Sequence, residues 1–430
     1  MHKSRQRSSH FSQPRRSGVQ AATDNLGRRH RPDYWLLVMT AMMLVVGLVV
    51  VYSISPGLAA SQKISQNYFI TKQLIDVGLG VSAFWLAAHI PLKAWRRLAI
   101  PLLVTAVIGS IIVMLTPVNE LYPAHRWIRV GSYSMQIAEL IKLALIVWLA
   151  GWLSYKWRSG KLADFNSTTK WLLGLLLAVS VVVAKLQSDL GSAFVILAIV
   201  GLMVFMIGAP LKKLMLASVV VLCLLSLGIA SSDYRRQRLT TFLHPGANCQ
   251  NSGYHACQAL IAVGSGGLFG LGLGYSVQAY GYLPEASNDS IFAVMAEKFG
   301  FIGSVAMVSA YGVFIFRIKR IIERTTEQFS RLIAVGVLAW LSTQAIINIG
   351  AMIGLLPLKG ITLPLISQGG TSLIFMTAAL GLVFQISRYT SYNVVEPRSD
   401  YQPPSGAGDS IERRRVGRSP NSHLVARPRA

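Results

Sequence analysis

About ten apolar runs of roughly 18–22 residues succeed one another along this chain, near 34–53, 68–90, 98–116, 136–154, 170–187, 190–208, 213–231, 289–316, 330–354 and 370–387. An α-helix rises about 1.5 Å per residue, so each run is long enough to cross a hydrocarbon core roughly 30 Å thick. In lipid every backbone N–H and C=O must be satisfied within the protein, which favours a helix for each run. The predicted fold class is therefore an all-α polytopic membrane protein of about ten transmembrane helices. A soluble core of alternating strands is the competing reading. It fits poorly with a chain that is 53% hydrophobic and 13% charged, where a soluble domain carries about a quarter charged residues.

Charge orients the bundle. The connections "PLKAWRR" (91–97), "SYKWRSGK" (154–161), "APLKK" (209–213) and "RIKRIIER" (317–324) are basic, and the positive-inside rule places them, with both termini, in the cytoplasm. Residues 232–288 then form one large extracytoplasmic loop between helices 7 and 8. Within it, "ACQALIAVGSGGLFGLGLGY" (256–275) is apolar enough to imitate a span. Its glycines each weaken a helix by about 1 kcal/mol, and counting it would put 317–324 outside. A short helix with a re-entrant piece is expected instead. These glycines do not keep dinucleotide-binding spacing, and no strand precedes them.

Of the net charge of +24, +9 lies in two Arg-rich, Ser/Pro/Gly-rich tails, 1–33 and 391–430. Such segments are expected to be disordered and cytoplasmic, attracted to anionic membrane lipid rather than nucleic acid. Residues 34–390 make the membrane domain between them. The first apolar run, starting near Tyr34, is too long for a cleavable signal and reads as a signal anchor. Cys223 falls in a span, where packing is its ordinary role. Cys249 and Cys257 share the outer loop, where a disulfide is permitted but not fixed by spacing. No His/Cys cluster has zinc spacing.

The informative residues are charges in unexpected places. Two outer loops, "HRWIRVG" (125–131) and "YRRQRLTTFLHP" (234–245), carry Arg126, Arg129, Arg235, Arg236 and Arg238. Arginine forks match phosphate oxygens, so the clusters point to a diphosphate or anionic head group; an interfacial belt is the plainer alternative. Lys185 and Glu285, near the same outer face, join them as candidate substrate-binding residues. At membrane depth, Glu139 and Lys142 share a helix face and can pair, whether for structure or function. Asp189 stands at a helix junction, and Gln344 and Asn348 share a face suited to interhelical hydrogen bonds. In "LPEASNDSIFAVMAEKFGFIG" (283–303), Asp289 sits where loop becomes helix, as a helix cap or as a chemical group. Glu297 lies two turns on, structural or proton-linked.

The stretch "GYLPEASNDSIFAVMAEKFGFIG" resembles the signature of the SEDS family (shape, elongation, division and sporulation). "HRWIRVGSYSMQIAELIKLAL", "LQSDLGSAFVI", "YRRQRLTTFLHP", "GYHACQALIAVGSGGLFGLGLGYSVQ" and "NIGAMIGLLPLKGITLPLISQGGTSLI" follow the family order across 34–390. The wording "GLGYSVQAYGYLPEA" and the long tails look more like the FtsW-like division branch than the RodA branch. The resemblance implies a ten-helix bundle that polymerises lipid II, the undecaprenyl-diphosphate-linked disaccharide peptide, and releases undecaprenyl diphosphate. It aligns the family's essential aspartate with Asp289. It also implies a class B penicillin-binding transpeptidase and other divisome proteins as partners. The implied place is the bacterial cytoplasmic membrane, at the septum, and a divalent cation (Mg or Mn) is a possible cofactor. Ser287-Asn288 replace the usual His-Thr, and Leu271 and Ala279 replace two usual basic residues, which affects diphosphate binding more than reaction class. A lipid II transporter and a non-catalytic divisome scaffold are the rival functions.

Overall fold

The computed structural model describes residues 31–115, 127–130, 133–162, 170–180, 189–209, 240–244 and 253–389, with positions 164, 168, 236 and 249–251. Among the described residues nine apolar helices stand where runs were predicted: α1 (Tyr34–Gln62), α2 (Tyr68–His89), α3 (Leu92–Leu115), α4 (Ile137–Arg158), α5 (Lys170–Ser180), α6 (Leu190–Met206), α8 (Ile291–Arg324), α9 (Gln328–Met352) and α10 (Thr371–Ser387). The predicted span 213–231, the greater part of both tails and Cys223 lie outside the described residues. Among the described helices six are long and apolar enough to cross a membrane. The exposed side chains of α3 include Val104, Val107, Ile108, Ile111, Ile112 and Leu115. A helix apolar all round belongs in lipid or in a protein interior. Here α4 is buried over most of its length and α9 over two thirds, while α2 and α3 face outward.

Several predicted boundaries move. α1 continues past residue 53 through Pro56 to Gln62, since loss of one N–H does not end a helix supported by its neighbours. The basic stretches 91–97 and 317–324 are mostly helix rather than connecting loop: α3 starts at Leu92, and α8 runs 34 residues to Arg324. In α8 the basic side chains lie at the C-terminal end, where the helix dipole favours them. Basic side chains also tie the helix ends together, Arg317 to Asp33 at 2.8 Å and Arg96 to Glu327 at 3.0 Å. Asp33, predicted to end a disordered tail, caps α1 by accepting from Trp35 N–H. The all-α prediction also missed a hairpin of β1 (Trp127–Val130) and β2 (Tyr133–Gln136), in which Arg129 pairs with Ser134.

The largest departure is in α8. The predicted span 289–316 is two pieces, divided at Gly300 (φ +67°, ψ −164°). Residues 291–298 are buried on all sides, whereas many of 301–316 are exposed apolar groups. The break is repaired by the Gly-rich segment of the outer loop, which follows α7 (Tyr254–Ser265). Leu271 and Gly272 N–H donate to the Glu297 and Lys298 carbonyls, at 2.9 and 3.0 Å. Phe301 and Ile302 N–H donate to Gly267 and Leu268 carbonyls, at 2.8 and 3.2 Å. A broken helix leaves orphan groups that must find partners, and this segment supplies them. Backbones meet so closely that a Cβ on Gly270 would lie 2.1 Å from the Lys298 carbonyl oxygen. Gly270→Val should therefore lower the unfolding temperature in detergent, costing about 2–4 kcal/mol. Gly264→Ala, in open helical space, should be neutral or slightly stabilising by the same measurement.

Candidate active site

Residues 283–290 fold into a tight turn ahead of the buried part of α8. Glu285 adopts φ +52°, a left-handed conformation that costs a non-glycine residue about 1–2 kcal/mol. In return its carbonyl accepts from Asn288 N–H at 2.9 Å and Ser290 N–H at 3.1 Å. Its carboxylate accepts from Asn288 Nδ2 at 2.7 Å. Strained turns persist where their surroundings over-determine them.

Three elements hold this one. From α9, Asn348 Nδ2 donates to the Asp289 carbonyl at 2.7 Å and to the Ile361 carbonyl at 2.7 Å. From the segment before α10, Ser367 Oγ donates to the Asn288 carbonyl at 2.6 Å and Gln368 N–H to the Ser287 carbonyl at 2.9 Å. From α7, His255 Nε2 lies 2.7 Å from Ser290 Oγ. The Asp289 main chain is thus fixed, and the residue is half-buried.

The segment 359–372 is the hub of the arrangement. Gln344 Nε2 donates to the Thr362 carbonyl at 3.0 Å and reaches Ser372 Oγ at 3.2 Å. Tyr311 Oη donates to the Pro364 carbonyl at 2.6 Å, and Gln368 Nε2 to the Phe69 carbonyl at 2.7 Å. Behind it lies the Glu139–Lys142 pair at 2.7 Å, with Lys142 only 1% exposed. Lys142 Nζ also donates to Gln344 Oε1 at 3.3 Å and sits 5.0 Å above the Trp340 ring. Asp189 caps α6 by accepting from Ser192 N–H at 3.0 Å and takes Gln136 Nε2 at 3.0 Å. Gln136 N–H in turn donates to Thr371 Oγ1 at 3.2 Å, where α10 begins.

Glu297 is separate. It is 1% exposed and accepts from Ser276 Oγ, from Val277 N–H at 2.9 Å and from Gln278 N–H at 3.3 Å. These bonds bring the end of the outer loop back onto α8. Arg126, Arg235, Arg238 and Lys185 lie outside the described residues, as does the side chain of Arg129. Arg236 is exposed. Cys249 and Cys257 are joined, with an S–S distance of 2.03 Å. Sequence reasoning missed His255, Ser290, Thr362, Ser367, Gln368 and Ser372. Most are short neutral polar residues, and the only signal was that they fall within the quoted family blocks.

These features define a class: a multi-pass helical membrane protein that fixes a half-buried aspartate on a strained turn, against a polar hub within the bundle. The chain belongs to the FtsW/RodA/SpoVE family, whose cell cycle protein profile matches residues 34–392. It is 36% identical over 365 residues to a probable peptidoglycan glycosyltransferase FtsW of Saccharophagus degradans, covering 83% of this chain and 92% of that protein. It is 34% identical over 367 residues to stage V sporulation protein E of Bacillus subtilis, covering 85% and 99%. Among solved structures, it resembles a chain described in work on the structural coordination of polymerization and crosslinking by a peptidoglycan synthase complex. There the TM-score is 0.69 and the identity 26%, over 84% of this chain and 99% of that one. The rod shape determining protein RodA of Thermus thermophilus is similar at TM-score 0.59 and 26% identity, covering 84% and 98%.

Proposed function

We propose that this chain is a peptidoglycan glycosyltransferase that polymerises lipid II at the outer face of the bacterial cytoplasmic membrane, in septal wall synthesis, with Asp289 as general base. The observation that carries this reading is the turn that fixes Asp289 by its main chain at a half-buried position. Family membership and relatives with this activity in their names support it.

In the reaction, Asp289 takes the proton from the 4-hydroxyl of the acceptor sugar. The freed oxygen bonds to C1 of the donor sugar. The C1–O bond to the diphosphate breaks, and its electron pair leaves with undecaprenyl diphosphate. Arg126, Arg129, Arg235, Arg236, Arg238 and Lys185 are the chain's candidates to balance the charge that develops there. Glu285, already bonded to Asn288, is assigned here to holding the turn. Among the described residues no three His, Cys, Asp or Glu side chains converge. If a divalent cation takes part, Asp289 and Glu285 are the residues that would hold it, and it would supply Lewis-acid stabilisation of the leaving group.

A class B penicillin-binding transpeptidase is the proposed partner, with other divisome proteins. The test is to purify this chain with that transpeptidase, supply labelled lipid II and resolve the products on a gel. Glycan polymer supports the assignment. An intact complex that consumes no validated lipid II would shift the role to transport or scaffolding.

A further inference from the structure

Ser290 directly follows Asp289 and occupies the N-cap position of α8, yet its side chain does not cap that helix. Its hydroxyl, 0% exposed, instead turns back to the start of the same turn and donates to the Pro284 carbonyl at 2.8 Å. A hydroxyl has one proton, and a carbonyl only accepts. With the proton committed to Pro284, the 2.7 Å contact from His255 Nε2 must carry a hydrogen on the histidine. The network therefore assigns the proton to Nε2 and makes His255 the donor.

We infer that His255 is a positioning residue for Asp289: through Ser290 Oγ and Pro284 it clamps the two ends of the turn that presents the carboxylate. The other supports come from α9 and from segment 359–372 in the bundle. Among the described side chains that reach the turn from outside it, His255 is the one on the outer loop. It lies on α7, two residues before Cys257, whose disulfide to Cys249 ties the start of that helix to the chain preceding it. The outer loop thereby bears directly on the residue next to the proposed base. A displacement near 1 Å at a reacting group costs up to about 100-fold in rate, so the clamp is expected to act on turnover rather than on substrate capture.

The inference rests on Asp289 acting as base, and the experiment separates the two. His255→Leu, His255→Gln, Ser290→Ala and Asp289→Asn are assayed for lipid II polymerisation in the full chain with its transpeptidase, alongside their unfolding temperatures. Leucine removes the donor at similar bulk, whereas glutamine restores an N–H donor. His255→Leu is expected to lower kcat by about 10-fold or more with KM for lipid II near the wild-type value. His255→Gln should recover most of that loss. Ser290→Ala should show a similar kcat loss, and its combination with His255→Leu little more than either alone. Wild-type kcat in His255→Leu, or equal losses in the leucine and glutamine variants, overturns the positioning role. If Asp289→Asn is inactive in that case, the base assignment survives it. Full activity in Asp289→Asn overturns both.

Discussion

Asp289→Asn should abolish polymer formation, lowering turnover by about 10²–10⁴-fold, the range typical for loss of a general base. The described supports of the turn make this a clean substitution. Asn348, Ser367 and Gln368 all donate to main-chain carbonyls of residues 287–289, so the amide leaves those bonds in place and changes the chemistry of one group. Retained folding and retained association with the transpeptidase, with no polymer, is the expected result. Polymer at the wild-type rate would remove Asp289 as base without touching the fold. Asp189→Asn is the contrasting variant. Its amide oxygen can still accept from Ser192 N–H, and a flipped Gln136 amide can accept from its Nδ2, so the cap on α6 survives and activity should stay within a few-fold of wild type.

The second large effect is expected at Lys142. Its ammonium is buried between Glu139 Oε1, Gln344 Oε1 and the Trp340 ring. Lys142→Met leaves the Glu139 carboxylate without its cation in a dry interior, which costs about 3–5 kcal/mol. The loss should appear as a lower unfolding temperature in detergent and as reduced polymerisation, because Gln344 links this pair to segment 359–372. Adding Glu139→Gln to Lys142→Met removes the stranded charge and should recover a large part of the stability. A double variant no better than the single one would show that the pair contributes through packing rather than charge.

Such pairs were partly legible. Glu139 and Lys142 are three residues apart in one apolar helix, so proximity follows from helical geometry alone. Asp289 was legible too, as a carboxylate at a loop-to-helix junction in a quoted family block. The hub was not. Gln344 meets Lys142 across 202 positions of sequence, and Ser367 meets Asn288 across 79. No periodicity connects them, and a serine in a glycine-rich loop carries no charge to mark it as misplaced. Glu297, read from the sequence as structural or proton-linked, accepts three bonds from residues 276–278, partners that its acidity and depth alone do not reveal.

What the sequence determined by itself is the membrane-spanning helical class and most of the spans, because lipid obliges each segment to satisfy its backbone locally, and local rules can be read along a chain. Only the tertiary structure decided that the predicted eighth span is a buried helix and an outward-facing one divided at Gly300, with the outer loop repairing the break. It also decided which polar side chains gather around Asp289. Those outcomes depend on hydrogen bonds between distant segments, whose partners exist only once the bundle has closed.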